Sequence, residues 1–378
     1  MNQAASHSRT ELGIKGKSVL SVAAGPQLHV KAIPSLDVWR AISILVVFLG
    51  HIGFGHVIPG GLGVTIFFFL SGYLITSLMF AEVQKTGRLN IRHFYYRRFL
   101  RLMPTLFLTL AIVYLLVGVG LLGGRATLKG LAAQVFYFSN YYTLFFDPGE
   151  TLPNGTAILW SLAVEEHFYI AYPLLFSILG ARCSRKQLAA VFVLVCIGVL
   201  GWRLHLVGQP GFSAERTYYA TDTRLDSILW GCVFALAWNP LASAQVVAKM
   251  RFRDYALVAL AFAAQLFALL VRNPAFRESA RYSIQGVALM PLFYYSITNS
   301  RHLLFRYLNA ATLQWIGKAS YSIYLIHYVA ISFIERNWPI LKSPLFLGPL
   351  VIVISAAYSY AVDSVVEPYF RRLRSRFR

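Results

Sequence analysis

Charge is what this sequence lacks. Only 13% of its 378 residues are Asp, Glu, Lys or Arg, where a water-soluble domain carries about 25%. Acidic groups are the scarcest, 15 against 35 Lys and Arg. A chain that is 57% hydrophobic cannot cover itself with a water-facing surface, which excludes an ordinary soluble domain. Cysteine is nearly absent. Cys183, Cys196 and Cys232 have no metal-ligand spacing, and apolar packing on or beside spans accounts for them. No metal is therefore expected. Residues 1–35 lack an apolar core followed by a small-residue cleavage site, so no signal peptide is expected there. No internal repeat stands out, which disfavours the transporters built on two-fold hydropathy repeats.

What is present is a series of long apolar runs. Ala41 to Ala81 holds no Asp, Glu, Lys or Arg, and a membrane-spanning helix needs about 20 such residues. That run is read as two spans broken around Pro59-Gly60-Gly61. Further low-charge runs lie at about 102–124, 160–178, 187–202, 225–247, 255–271, 282–298, 319–334 and 346–362. The expected fold is therefore all-α, a polytopic integral membrane protein of about ten transmembrane helices. A shorter aromatic stretch, Gly130–Phe146, reads as re-entrant or interfacial, with a full span as the rival. Residues 1–34 are expected to form a flexible cytoplasmic tail, 35–370 the transmembrane domain and 371–378 a basic cytoplasmic tail.

The net charge of +20 would suggest nucleic acid in a soluble protein, but its placement argues against that partner. With ten spans and both termini cytoplasmic, twenty-four Lys and Arg fall inside and nine outside. That asymmetry is the positive-inside rule, so the expected partner of the charge is the lipid bilayer.

Ionisable side chains within spans are costly and mark candidate sites. Eleven residues on a helix make three turns plus about 20°, so Arg40 and His51 share a face, about 16 Å apart. This places Arg40 near the cytoplasmic edge and His51 near mid-membrane; a snorkelling anchor and a packing histidine are the structural alternatives. Ser161, Glu165 and Tyr169 recur every four residues and form one stripe, while Glu166 points about 100° away. Arg224 and Asp226, two apart, cannot pair with each other on a helix and should each reach another helix, either in an interhelical ion-pair network or as part of a catalytic site. Arg97, Arg98 and Arg101 precede the third span, either as topology anchors or as a phosphate-binding patch.

Together these segments resemble the acyltransferase-3 family of membrane O-acyltransferases. The resemblance rests on Leu36-Asp37-Val38-Trp39-Arg40-Ala41 with His51 (an Arg-x10-His pattern), the run Gly63 to Ile75, and Phe94 to Pro104. It continues through Trp160-Ser161-Leu162 to Phe168-Tyr169, Arg224-Leu225-Asp226, and Gly317 to His327. These occur in family order over nearly the whole chain. Some members carry a C-terminal hydrolase-like domain, which is not expected here.

The resemblance implies transfer of an acyl group, acetyl by family default, from cytoplasmic acyl-CoA to a hydroxyl on a glycan or lipid-linked glycan. Acyl-CoA would be a co-substrate rather than a permanently bound cofactor. A histidine of near-neutral pKa suits deprotonation of the acceptor. His51 is thus expected to be the general base, with Glu165 or Glu166 orienting its imidazole or aiding the acceptor. Arg40, Arg97, Arg98 and Arg101 would hold the coenzyme A phosphates. Ser161 and Tyr169 would line the acceptor side, and Arg224 with Asp226 would shape an outer pocket. His327 is expected to pack or hydrogen-bond. An acyl-histidine relay, acylation of a cytoplasmic small molecule and a transporter without chemistry remain the alternatives.

Overall fold

The computed structural model describes residues 34–146, 152–241, 250–300, 302–306 and 310–377. The expected N-terminal tail lies outside the described residues except for Pro34 itself. No strand occurs among the described residues, and helices account for most of them. The reason is the solvent. In lipid no water satisfies backbone N–H and C=O groups, so a spanning segment must bond them internally.

In chain order the helices are α1 Pro34–Leu49, α2 Gly61–Thr86, α3 Ile91–Gly118, α4 Leu128–Val135, α5 Ser139–Tyr141 and α6 Leu159–Arg182. Then follow α7 Arg185–Val207, α8 Ala214–Tyr219, α9 Thr221–Ala237, α10 Phe252–Leu270, α11 Pro274–Glu278, α12 Ala280–Thr298, α13 Ala311–Asn337, α14 Pro344–Ala361 and α15 Glu367–Ser375. Polar caps set several starts: Asn90 accepts from the His93 N–H, and Ser184 forms a reciprocal capping box with Gln187.

The chain is an all-α polytopic membrane protein. Among the described residues seven helices are long and apolar enough to cross a membrane: Pro34–Phe54, Gly61–Thr86, Ile91–Gly118, Leu159–Arg182, Arg185–Val207, Phe252–Leu270 and Pro344–Ser375. Helices α9, α12 and α13 are not among these seven, and they carry buried polar side chains such as Asp226, Ser283 and His327. The run expected at 225–247 stops early. Asn239-Pro240 ends α9, since proline cannot continue the ladder, and the Asn239 side chain accepts from Tyr73 and donates to Ser77.

Glycines bring the inner helices together. A Cβ on Gly72 of α2 would collide with the Ile228 carbonyl of α9, and one on Gly231 of α9 would collide with the Phe69 carbonyl of α2. Gly317 of α13 lies against the Asp37 backbone of α1 in the same way. Small residues at crossings are how helices approach closely where burial of apolar surface supplies no driving force. The third contact lays α1 beside α13, which decides where His51 goes.

Gly130–Phe146 does not form a spanning helix. α4 is eight residues, about 12 Å, and the chain then turns at Tyr137, whose φ of 55° is left-handed. Its ring is buried with Leu106, Leu110, Leu159, Ala163 and Leu325, at a junction of α3, α6 and α13. At the other end of the chain, residues 371–377 belong to α15 and the turn after it. Phe377 stacks on Tyr96 and its carbonyl accepts from Arg97 at 2.8 Å, which seats the basic segment on α3.

Candidate active site

A cavity of about 170 Å³ opens among α1, α2, α3, α6 and α13. Four cations line it: Arg40 from α1, Arg98 and Arg101 from α3, and Lys318 from α13. Against them stand Glu165 on the wall and Asp37, which pairs with Arg40 at 2.6 Å. Like charges crowded in a low-dielectric site repel one another strongly, so the cavity favours an anionic occupant. Arg98 also lies over the Tyr169 ring, 4.7 Å from its centroid, which fixes its fork.

The stripe of Ser161, Glu165 and Tyr169 lines this cavity. Glu165 accepts from Ser71 at 3.1 Å and from the Tyr169 hydroxyl at 3.0 Å, and those two oxygens are 2.9 Å apart. Ser161 bonds the Tyr324 hydroxyl at 2.7 Å. The imidazole of His51 is not among the hydrogen-bond partners of Glu165. Its carboxylate is occupied by two hydroxyls at the cavity wall, and Glu166, a third of a turn away, is outside the lining.

His51 is oriented by another histidine. Its Nδ1 lies 3.0 Å from Nε2 of His327, and its ring lies tilted against that of Tyr328, centroids 4.7 Å apart. His327 is fully buried, and its Nδ1 is 2.7 Å from the Tyr324 carbonyl. A carbonyl can only accept, so His327 Nδ1 carries the hydrogen and its Nε2 is the acceptor. His51 Nδ1–H must then donate to it. That leaves the lone pair on His51 Nε2, free of the pair and available as a base.

α1 ends at Leu49, and Gly50–Phe54 form a wider turn with Gly53 at φ 112°. His51 therefore sits in the wider turn that continues α1, within the apolar segment Pro34–Phe54. It is not part of the cavity wall; Tyr324 is the ring that both lines the cavity and flanks His327, at 5.6 Å. His327 is expected to pack or hydrogen-bond, but nothing local signals that the partner lies 276 positions away. The available sign was that Gly317 and His327 sit on one helix as Asp37 and His51 do on another.

Three other expected residues lie elsewhere. Arg97 pairs with Glu82 at 2.6 Å and with the Phe377 carbonyl, turned from the cavity. Asp226 is held by Arg203 of α7 through two bonds of 2.7 Å and by Ser283 of α12 at 2.8 Å. Arg224 bonds Thr65 at 3.1 Å and lies 3.9 Å from the Tyr282 ring centroid. Both side chains reach other helices as the spacing requires, and neither lines the cation-rich cavity: Arg203 and Asp226 are a sealed interhelical ion pair.

The sequence model of the acyltransferase domain (acyltransferase-3) matches residues 33–363. The chain belongs to this family. It is 34% identical over 320 residues to a putative peptidoglycan O-acetyltransferase, YrhL, of Bacillus subtilis, covering 80% of this chain and 49% of that one. It is 30% identical over 314 residues to the peptidoglycan O-acetyltransferase OatA of Listeria monocytogenes, covering 80% and 50%. A putative O-acetyltransferase of Staphylococcus aureus is 28% identical over 359 residues, covering 90% and 57%. The chain thus spans about half the length of these curated relatives. No solved structure matches it.

Proposed function

We propose that this chain is a membrane O-acyltransferase that moves an acyl group, acetyl by the naming of its relatives, from acyl-CoA to a hydroxyl of a cell-wall or exported glycan. The observation that carries the proposal is the pairing of a cation-lined cavity with a histidine whose free nitrogen is fixed by a second histidine. In this account the protein spans the cytoplasmic membrane ten times with both termini inside. The cavity then opens on the coenzyme A side.

Arg40, Arg98, Arg101 and Lys318 bind the phosphates, and the slender thioester arm runs inward along Ser161, Glu165 and Tyr169. Tyr324 is the last ring before the histidine pair and must turn aside for the acyl carbon to reach it. His51 Nε2 then takes the proton of the acceptor hydroxyl while that oxygen attacks the thioester carbonyl. The tetrahedral adduct collapses with loss of the coenzyme A thiolate, which receives the proton from His51. His327 keeps His51 in the required tautomer through both steps.

The test uses purified protein in liposomes with acyl-labelled acetyl-CoA supplied to one face and a saccharide acceptor to the other. Label is expected in an alkali-labile ester on the saccharide, with free coenzyme A released in equal amount. Solute movement without release of coenzyme A would replace the enzyme reading with a transporter.

A further inference from the structure

A second concavity lies at the opposite end of α3 from the arginine cluster. It is a groove of about 730 Å³ lined by residues of the stretch 125–146. Arg125 and Lys129 line it together with the rings of Phe136, Phe138, Tyr142 and Phe146. The rings are open to the surroundings, Phe136 at 79% and Phe146 at 68% exposure. On a polytopic membrane chain those surroundings are lipid or the lipid–water boundary. Among the described residues none that lines the groove is acidic.

Aromatic belts and snorkelling cations anchor many membrane proteins, but an anchor needs no groove. Here the backbone folds to make one. Tyr137 takes a left-handed conformation between Phe136 and Phe138, which turns its own ring into the core beside α6 and leaves its neighbours outside. The concavity joins two cations with an apolar floor, the chemistry of a phosphate-bearing headgroup on a hydrocarbon chain. Two cations match a double phosphate better than the single phosphodiester of a bulk lipid.

We infer that this groove is a docking site for a lipid diphosphate, the carrier end of a lipid-linked glycan acceptor. The identity of the ligand as acceptor rests on the proposed acyl transfer; its binding does not. Docked there, the diphosphate lies at Arg125 and Lys129, the chain lies along the phenylalanines, and the attached saccharide is presented beside α6, which carries Ser161.

The full chain in phosphatidylcholine nanodiscs is titrated with radiolabelled farnesyl diphosphate. Saturable binding is expected, and Arg125→Gln with Lys129→Gln should weaken it about a hundredfold, about tenfold per charge-assisted contact. Phe136→Ser should weaken it while inorganic diphosphate alone binds poorly. Equal competition by phosphatidylglycerol would overturn the inference and leave an ordinary lipid boundary. Cross-linking of Phe136→Cys between two copies would also overturn it, by showing the groove covered by protein. Acyl-CoA binding measured on the double variant should be unchanged. If lipid binding fails while acyl-CoA turnover stands, the groove assignment is lost and the acyl-transfer reading survives. If lipid binding stands while acyl-CoA turnover fails, the groove keeps its ligand and the acyl-transfer reading is lost.

Discussion

Replacing His327 with alanine is the perturbation that the geometry specifies most fully. The substitution removes the 3.0 Å acceptor of His51 Nδ1–H and the ring tied to the Tyr324 carbonyl at 2.7 Å. The lower bound on the effect is the net worth of one hydrogen bond, about 0.5–1.5 kcal/mol, or up to about tenfold. The upper bound is complete loss of a general base, about 10²–10⁴-fold. An imidazole free to rotate and change tautomer still presents its lone pair for part of the time, so kcat should fall about a hundredfold. KM for acyl-CoA should hardly move, because His327 is not on the cavity wall. Glutamine can place its amide oxygen near the lost Nε2 and accept the same hydrogen, so His327→Gln should stay within about tenfold of the native rate. The pair should also be non-additive. His51→Ala with His327→Ala should be no slower than His51→Ala alone, since the second residue acts through the first. Steady-state release of coenzyme A, with thermal unfolding as a check on folding, measures all four variants. Equal loss in the alanine and glutamine variants, or additive losses in the double variant, would refute the orienting role.

Other expectations follow from the same distances. Arg98→Gln and Arg101→Gln should each raise KM for acyl-CoA about tenfold or more with little change in kcat, the worth of one charge-assisted bond; Arg97→Gln should leave KM alone, and equal effects in all three would place the phosphates outside the cavity. Arg203→Met leaves Asp226 buried and unpaired, a cost of about 3–5 kcal/mol, and should lower the unfolding temperature sharply in detergent. Adding Asp226→Leu to it should recover most of that loss, and no recovery would show that the pair does more than hold α7 to α9. Gly317→Val should prevent accumulation of folded protein because α1 has no room to retreat; a folded, active variant would contradict the close approach to Asp37.

The apolar runs made the helices legible from composition alone, because no other secondary structure places so many uncharged residues in lipid. Positions along one helix were legible too: the stripe of Ser161, Glu165 and Tyr169 follows from a period of four. What stayed hidden is whatever depends on one helix meeting another far along the chain. His51 and His327 meet because α1 and α13 touch through Gly317, and a glycine gives little sign of its partner. Arg97 and Arg98 are adjacent in sequence, so charge alone assigned both to coenzyme A. The helix turns one of them to Glu82 and the other to the cavity. Asp226 read as a wall of an outer pocket because its partner Arg203 belongs to another span, where an isolated arginine carries no address.

The most direct test of the account is the rate of acetyl transfer to saccharide by His51→Gln in liposomes, beside the native protein and at saturating acetyl-CoA. Glutamine can still donate a hydrogen bond to His327 but offers no basic nitrogen, so transfer should fall at least a hundredfold while acetyl-CoA binding is retained. Transfer at the native rate would show that proton removal, and with it the chemistry, resides elsewhere.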